Sequence, residues 1–212
     1  MKAAGSAADF VPPHPTLSRL RAAAAGCRGC PLWRDATQTV FGEGPADADI
    51  VMVGEQPGDQ EDIEGKPFVG PAGRILDEAI EAAGIDRRDV YVTNAVKHFK
   101  FERKALVKRR LHKKPNAAEV RACHPWLEQE IAVIKPRLSV ALGSTAGQAL
   151  LGPGLRVLEN RGRVIASDWA GPVLVTVHPS SVLRTPSEAR EAARREFFRD
   201  IGLVAKELAR LG

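Results

Sequence analysis

Between Asp49 and Gly54 the chain runs Ile50-Val51-Met52-Val53, an unbroken apolar stretch that stops at a glycine. A strand with no polar alternation is sheltered on both faces, which is the habit of parallel sheets. Parallel neighbours cannot be joined by a tight hairpin. They need crossovers, usually helical. The rest of the chain supplies both parts. Val90-Tyr91-Val92-Thr93-Asn94-Ala95-Val96, residues 137–142 and residues 172–177 read as three further strands. Helical spacing appears over residues 16–25. It returns after Pro71, with Ile75, Leu76, Ala79, Ile80 and Ala83 on one face and Gly84 as the stop. Asn116 caps a helix that runs to Ile134 ahead of Pro136. Another helix opens at Gly143-Ser144-Thr145, where free N–H groups could hold a phosphate, and the last spans residues 187–211. This alternation predicts an α/β fold with a largely parallel sheet and helices on both faces. Residues 60–70 read as a polar loop, 98–115 as a long basic loop, and 157–166 as a small excursion. Residues 1–15 read as a flexible tail before a single domain over 16–212.

A chain of 212 residues suits one such domain with a buried core. No apolar run is long enough for a membrane helix, and the first residues lack the apolar centre of a signal peptide. A cytoplasmic protein without membrane contact is expected. The net charge of +5 points to an anionic partner. Much of it gathers in Lys108-Arg109-Arg110-Leu111-His112-Lys113-Lys114, a run suited to meeting a polyanion.

Chemistry-bearing residues fall at the carboxyl ends of the strands, where open α/β sheets place ligands. Glu55 and Gln56 follow the first strand, Asn94 ends the second, and His178 follows the fourth. Three cysteines cannot form a disulfide framework, and Cys27-Arg28-Gly29-Cys30 has the spacing of metal ligands. Cys123 offers a third sulfur and His98 a fourth ligand. That set suits zinc, and it also suits an iron–sulfur cluster in which histidine replaces one thiolate. Spacing does not separate the two.

Four motifs occur in order: Gly54-Glu55-Gln56-Pro57-Gly58, Lys66-Pro67-Phe68-Val69-Gly70, Thr93-Asn94 and His178-Pro179-Ser180. Together they resemble the uracil-DNA glycosylase superfamily, closest to its iron–sulfur branch, family four. The resemblance covers the chain from about Cys27 to the final helix. It implies a three-layer α/β/α sandwich around a four-stranded parallel sheet, and a 4Fe-4S cluster on Cys27, Cys30, His98 and Cys123. Three departures stand out. Family four has Gly or Ala in place of Gln56 and a cysteine in place of His98, and it lacks the basic insertion. Gln56 together with Lys108-Arg109-Arg110-Leu111-His112 is similar to the UdgX group, whose loop reads Lys-Arg-Arg-Ile-His and whose members bond covalently to uracil-containing DNA.

The resemblance implies a role for each site residue. Gly54, Phe68 and Asn94 would hold uracil, Phe68 by stacking and Asn94 by reading N3–H and O4. His178 would donate to uracil O2 as the base leaves. His112 would attack the sugar, with Glu55 as its partner and Gln56 as a support. Lys108, Arg109, Arg110, Ser180, Ser181, Leu183 and Arg184 would meet the DNA, Leu183 as a wedge. The expected partner is uracil-containing DNA, preferably single-stranded, bound by a monomer that acts once. Three other readings remain open: a turnover iron–sulfur uracil-DNA glycosylase, a non-catalytic iron–sulfur DNA-binding module, and a zinc-dependent nucleotide-binding domain.

Overall fold

The structure is a computed structural model, and it describes residues 5–103 and 110–211. In chain order the elements are α1 (Leu17–Ala24), β1 (Ile50–Gly54), α2 (Asp59–Glu64), α3 (Pro71–Ala82), β2 (Val90–Asn94), β3 (Phe101–Arg103) and β4 (Arg110–His112). They continue as α4 (Ala117–Ile134), β5 (Leu138–Leu142), α5 (Ser144–Leu151), α6 (Val157–Asn160), β6 (Val164–Ser167), β7 (Gly171–Thr176), α7 (Ser180–Arg184) and α8 (Ser187–Leu211).

The central sheet has the order β2-β1-β5-β7-β6. Its first four strands are parallel, as the apolar runs predict, and β6 adds an antiparallel edge. The expected four-stranded sheet therefore gains a fifth strand from the segment read as an excursion. Val164 to Ser167 is only partly buried, so it lacks the apolar signature of its neighbours.

Strand alternation builds two cores. Ile50, Met52, Val90, Val92, Val140 and Leu174 face α3 and α8, where they meet Leu76, Ile80, Phe197 and Ile201. Val51, Val53, Tyr91, Ala141 and Val173 face the other way, against Leu127 and Ile131 of α4 and Ala146 and Leu150 of α5. This is the expected three-layer sandwich. All five residues of β1 are buried. Burial at that density contributes about 1.5–3 kcal/mol for each large apolar side chain.

Three local expectations change. Residues 59–64 form α2 rather than loop, because Glu61 accepts from the Gly58 N–H at 3.0 Å and three acidic residues fill the first turn. The basic segment is a hairpin, β3 pairing β4 with Phe101 opposite His112. Finally, the described part of the tail is packed: Ala7 sits in a 3₁₀ turn (Ala7–Phe10), fully buried in the same apolar cluster as Cys27, Cys30, Cys123 and Trp126. Among the described residues, no helix is long and apolar enough to cross a membrane.

Candidate active site

The carboxyl ends of β1, β2, β5 and β7 open into one cleft of about 1020 Å³. Register sets its floor. Gly54 pairs with Asn94 across β1 and β2, and a Cβ on Gly54 would come within 2.4 Å of Asn94 Oδ1 and 2.7 Å of Phe68 Cζ. Only a residue without a side chain lets the amide and the ring share that space. Phe68 adopts a left-handed backbone, φ 58°, at a cost of about 1 kcal/mol. Its ring then lies 6.2 Å from that of His178, with the planes 25° apart. Asn94 is 4% exposed, and among the described residues its amide has no hydrogen-bond partner, so its donors and acceptor are left for a ligand.

His178 has a defined tautomer. The Ser180 backbone N–H donates to His178 Nδ1 at 3.2 Å, so Nδ1 carries a lone pair and Nε2 the proton. Ser180 Oγ lies 2.7 Å from the same nitrogen and accepts from Arg184 at 2.8 Å. Burial, with Arg184 and His112 nearby, pushes the His178 pKa down to about 4, so the ring is a neutral N–H donor. Ser181 donates to the His178 carbonyl at 2.7 Å. Both hydroxyls, expected on phosphate, are thus engaged in shaping the His178 turn. Leu183 stands 40% exposed on α7.

Across the cleft, His112 Nε2 faces Glu55 Oε1 at 3.5 Å. Thr145 donates to the other Glu55 oxygen at 2.5 Å, which fixes the carboxylate. Thr145 was not among the expected site residues. Its position at the start of α5 was read only as a phosphate-binding turn. Burial lowers the His112 pKa, Glu55 opposes that shift, and Arg184 adds to it.

The hairpin is fastened from two sides. Gln56 donates to the carbonyls of Lys100 at 3.1 Å and Lys113 at 3.2 Å, and accepts from the Lys100 N–H at 3.2 Å. It clasps both stems below His112. Arg110, expected on DNA phosphates, turns inward: it pairs with Asp59 and Asp62 at 2.5 Å each and lies over the rings of Phe99 and Phe101. With 15% of its side chain exposed, it anchors β4 to α2. Lys108 and Arg109 lie outside the described residues.

Behind the cleft sits an ion pair with no solvent exposure, Lys97–Glu130. Lys97 Nζ also donates to Thr93 Oγ1 at 2.6 Å and to the Asn94 carbonyl at 2.8 Å. Tyr91 and the Gly42 N–H satisfy Glu130. The pair therefore holds the backbone from which Asn94 projects. Neither partner has a sequence signature, since both lie in ordinary helical or strand-end positions.

The Lys97 N–H donates to Cys123 Sγ at 3.2 Å, and the Trp126 indole donates to Cys27 Sγ at 3.3 Å. All three cysteines are free and buried. Burial raises the Cys30 pKa and pushes that of Cys123 up to about 12. Thiols that bind iron must give up those protons, so loading is coupled to proton release. His98 is 5% exposed, and burial pushes its pKa down to about 4. Thr39 donates to the Ala24 carbonyl at 2.8 Å, so its hydroxyl must accept from His98 Nε2–H at 2.9 Å. That leaves Nδ1 with its lone pair, the state of a ligating histidine whose other nitrogen is held by a neighbour. Among the described residues, no three His, Cys, Asp or Glu side chains converge tightly enough to clasp one metal ion. The donor set, three buried thiols, two of them accepting N–H···S bonds, and one neutral imidazole, is of the kind that an iron–sulfur cluster takes.

An aromatic ring, an amide without a partner among the described residues, a neutral imidazole donor and a fixed carboxylate thus line one cleft at the strand ends. A family model described as Uracil DNA glycosylase superfamily matches residues 41–202. The chain belongs to that superfamily. It is 36% identical over 194 residues to a type-4 uracil-DNA glycosylase of Pyrobaculum aerophilum, covering 88% of this chain and 92% of the relative. It is 38% identical over 185 residues to the Thermotoga maritima protein of the same description, covering 85% and 91%.

Proposed function

We propose that the protein excises uracil from DNA and stays bonded to the abasic sugar through His112. The observation that carries this reading is the placement of a neutral-leaning imidazole on an anchored hairpin, facing the Glu55 carboxylate across the cleft that Asn94, Phe68 and His178 line.

The base leaves the stack and settles on Phe68, with Asn94 reading N3–H and O4. Leaving is easier from an unpaired strand, so single-stranded DNA is the proposed form. The C1′–N1 bond breaks with its electron pair going to uracil, whose O2 accepts from His178 Nε2–H. The oxocarbenium-like sugar is stabilised by the Glu55 carboxylate, which Thr145 holds in place. A ring nitrogen of His112 then donates its lone pair to C1′. The new imidazolium passes its remaining N–H proton toward Glu55 or solvent, leaving a neutral N-linked adduct. Cys27, Cys30, Cys123 and His98 Nδ1 would hold a 4Fe-4S cluster. Those residues lie in the Cys27–Cys30 turn, the segment after β2 and helix α4, so a cluster held by them would tie these three segments together.

The names of the relatives favour a second reading, in which water completes the reaction and the enzyme turns over. A denaturing gel of protein mixed with uracil-containing single-stranded DNA separates the two. The covalent reading expects a shifted band that survives boiling and is limited to one DNA per protein. Free uracil in excess of protein, with no shifted band, contradicts it. His112→Gly, Ala or Ser should lose the band and release uracil slowly, because water can then reach the sugar.

A further inference from the structure

A second concavity, of about 350 Å³, opens beside the Cys27–Cys30 turn. Arg28, Trp33 and Arg34 form one wall, and Asn116 and Glu119, at the start of α4, form another. The Trp33 indole is half-buried, with Arg28 Cζ 4.9 Å and Arg34 Cζ 5.8 Å from its ring centroid. Both arginines are exposed, and among the described residues neither forms an ion pair. Glu119 is already committed: Lys100 Nζ lies at 2.7 Å and the Asn116 N–H donates to it at 2.7 Å. The concavity therefore offers an indole face with two arginines over it that form no ion pair among the described residues. Grooves for single-stranded nucleic acid are built from that combination, with the face taking a base and the cations taking phosphate.

Its position says which strand. Lys114 lines the uracil cleft and Asn116 lines this concavity, with only Pro115 between them. Their Cα atoms are thus at most about 7.6 Å apart. The two concavities therefore meet at one short stretch of chain, which puts this one within reach of a strand that leaves the cleft past Lys114. We propose that Trp33, Arg28 and Arg34 form a subsite for one nucleotide flanking the uracil, the base stacked on the indole and its phosphate held by the guanidiniums. This rests on the reading of the cleft as a uracil-DNA site. In the free protein the arginines cover the ring. A base stack is the stronger contact, so it displaces a guanidinium and frees it for the backbone.

The test uses iron-loaded protein and single-stranded oligonucleotides carrying one 2′-fluoro-deoxyuridine, whose fluorine disfavours the sugar cation and blocks cleavage. One oligonucleotide has long flanks, and two are cut back to the uracil on the 5′ or the 3′ side. The parent should lose affinity when one particular flank is removed. Trp33→Ala should bind the long oligonucleotide about tenfold more weakly and match the parent on the truncated one. Trp33→Phe should bind like the parent. Arg28→Gln and Arg34→Gln should each reduce the slope of log affinity against log salt by about 0.7. Tryptophan fluorescence of the unaltered parent should be quenched by the long oligonucleotide and not by the truncated one, a readout that needs no variant to fold. Equal affinity of Trp33→Ala and parent on every oligonucleotide overturns the proposal, as does quenching that ignores the flank. A parent that does not prefer the deoxyuridine analogue to thymidine overturns the uracil reading instead, whatever the flanks do.

Discussion

The proton on His178 is placed by its neighbours: a backbone N–H occupies Nδ1, so Nε2 faces the cleft as a donor. His112 has no comparable lock, and its charge depends on the field around it. Burial and Arg184 lower its pKa while Glu55 raises it. An attacking imidazole must be neutral, so capture should stay fast as pH falls through about 6.5, the ordinary histidine value, and decline only below it. Removing Arg184 removes one lowering influence, so in Arg184→Ala the decline should begin at higher pH. Single-turnover capture rates between pH 4.5 and 8 check this, and coincident acid limbs would contradict it. Replacing His178 by Ala should slow uracil release and capture together, because it acts before those paths divide. That Glu55, Asn94, His112 and His178 line one cleft was legible in the sequence, since each combines a reactive side chain with a strand end or a motif. Thr145 was missed, and Gln56, expected as a support for His112, bonds instead to the stems of the hairpin. Their function is a hydrogen bond to a residue distant in the chain, and no local pattern encodes it.

At the scale of elements, the β3–β4 hairpin is the part that sequence reading reduced to a loop. Its strands are short and its residues only partly buried, so neither alternation nor apolar content marks it. What makes it rigid is external: the Gln56 clasp and the Arg110 pairs with α2. Gln56→Ala removes three hydrogen bonds, each contributing on the order of 1 kcal/mol. Amide hydrogen exchange should rise in residues 101–103 and 110–113, and capture should slow, while binding of a free uracil analogue is retained. Unchanged exchange would separate Gln56 from the hairpin. The Lys97–Glu130 pair makes the same point for β2. Lys97→Met strands a buried carboxylate and should cost about 3–5 kcal/mol, while adding Glu130→Leu should recover much of it. Thermal unfolding of both variants gives the comparison, and a double variant no better than the single would show that the pair does not act as a unit.

For the whole molecule, the parallel sheet was legible because burial on both faces leaves long apolar runs, and β1, β2, β5 and β7 appear where those runs lie. The packed 3₁₀ turn at Ala7 was not, since a single small residue filling a gap beside the cysteines leaves no pattern. That packing joins Ala7 to the three cysteines, so if these hold the proposed cluster, Cys27→Ser should lower iron content and destabilise the protein as a whole rather than the turn alone. Retention of the parent's visible absorption would remove Cys27 from the ligands. The central proposal is that His112 becomes bonded to the sugar. Proteolysis of the protein–DNA adduct, followed by mass-spectrometric sequencing of the nucleotide-bearing peptide, tests that claim most directly. The account predicts the sugar on His112 and on no other residue, with the adduct lost in His112→Ala. A nucleotide on any other side chain, or an undiminished adduct in that variant, would contradict it.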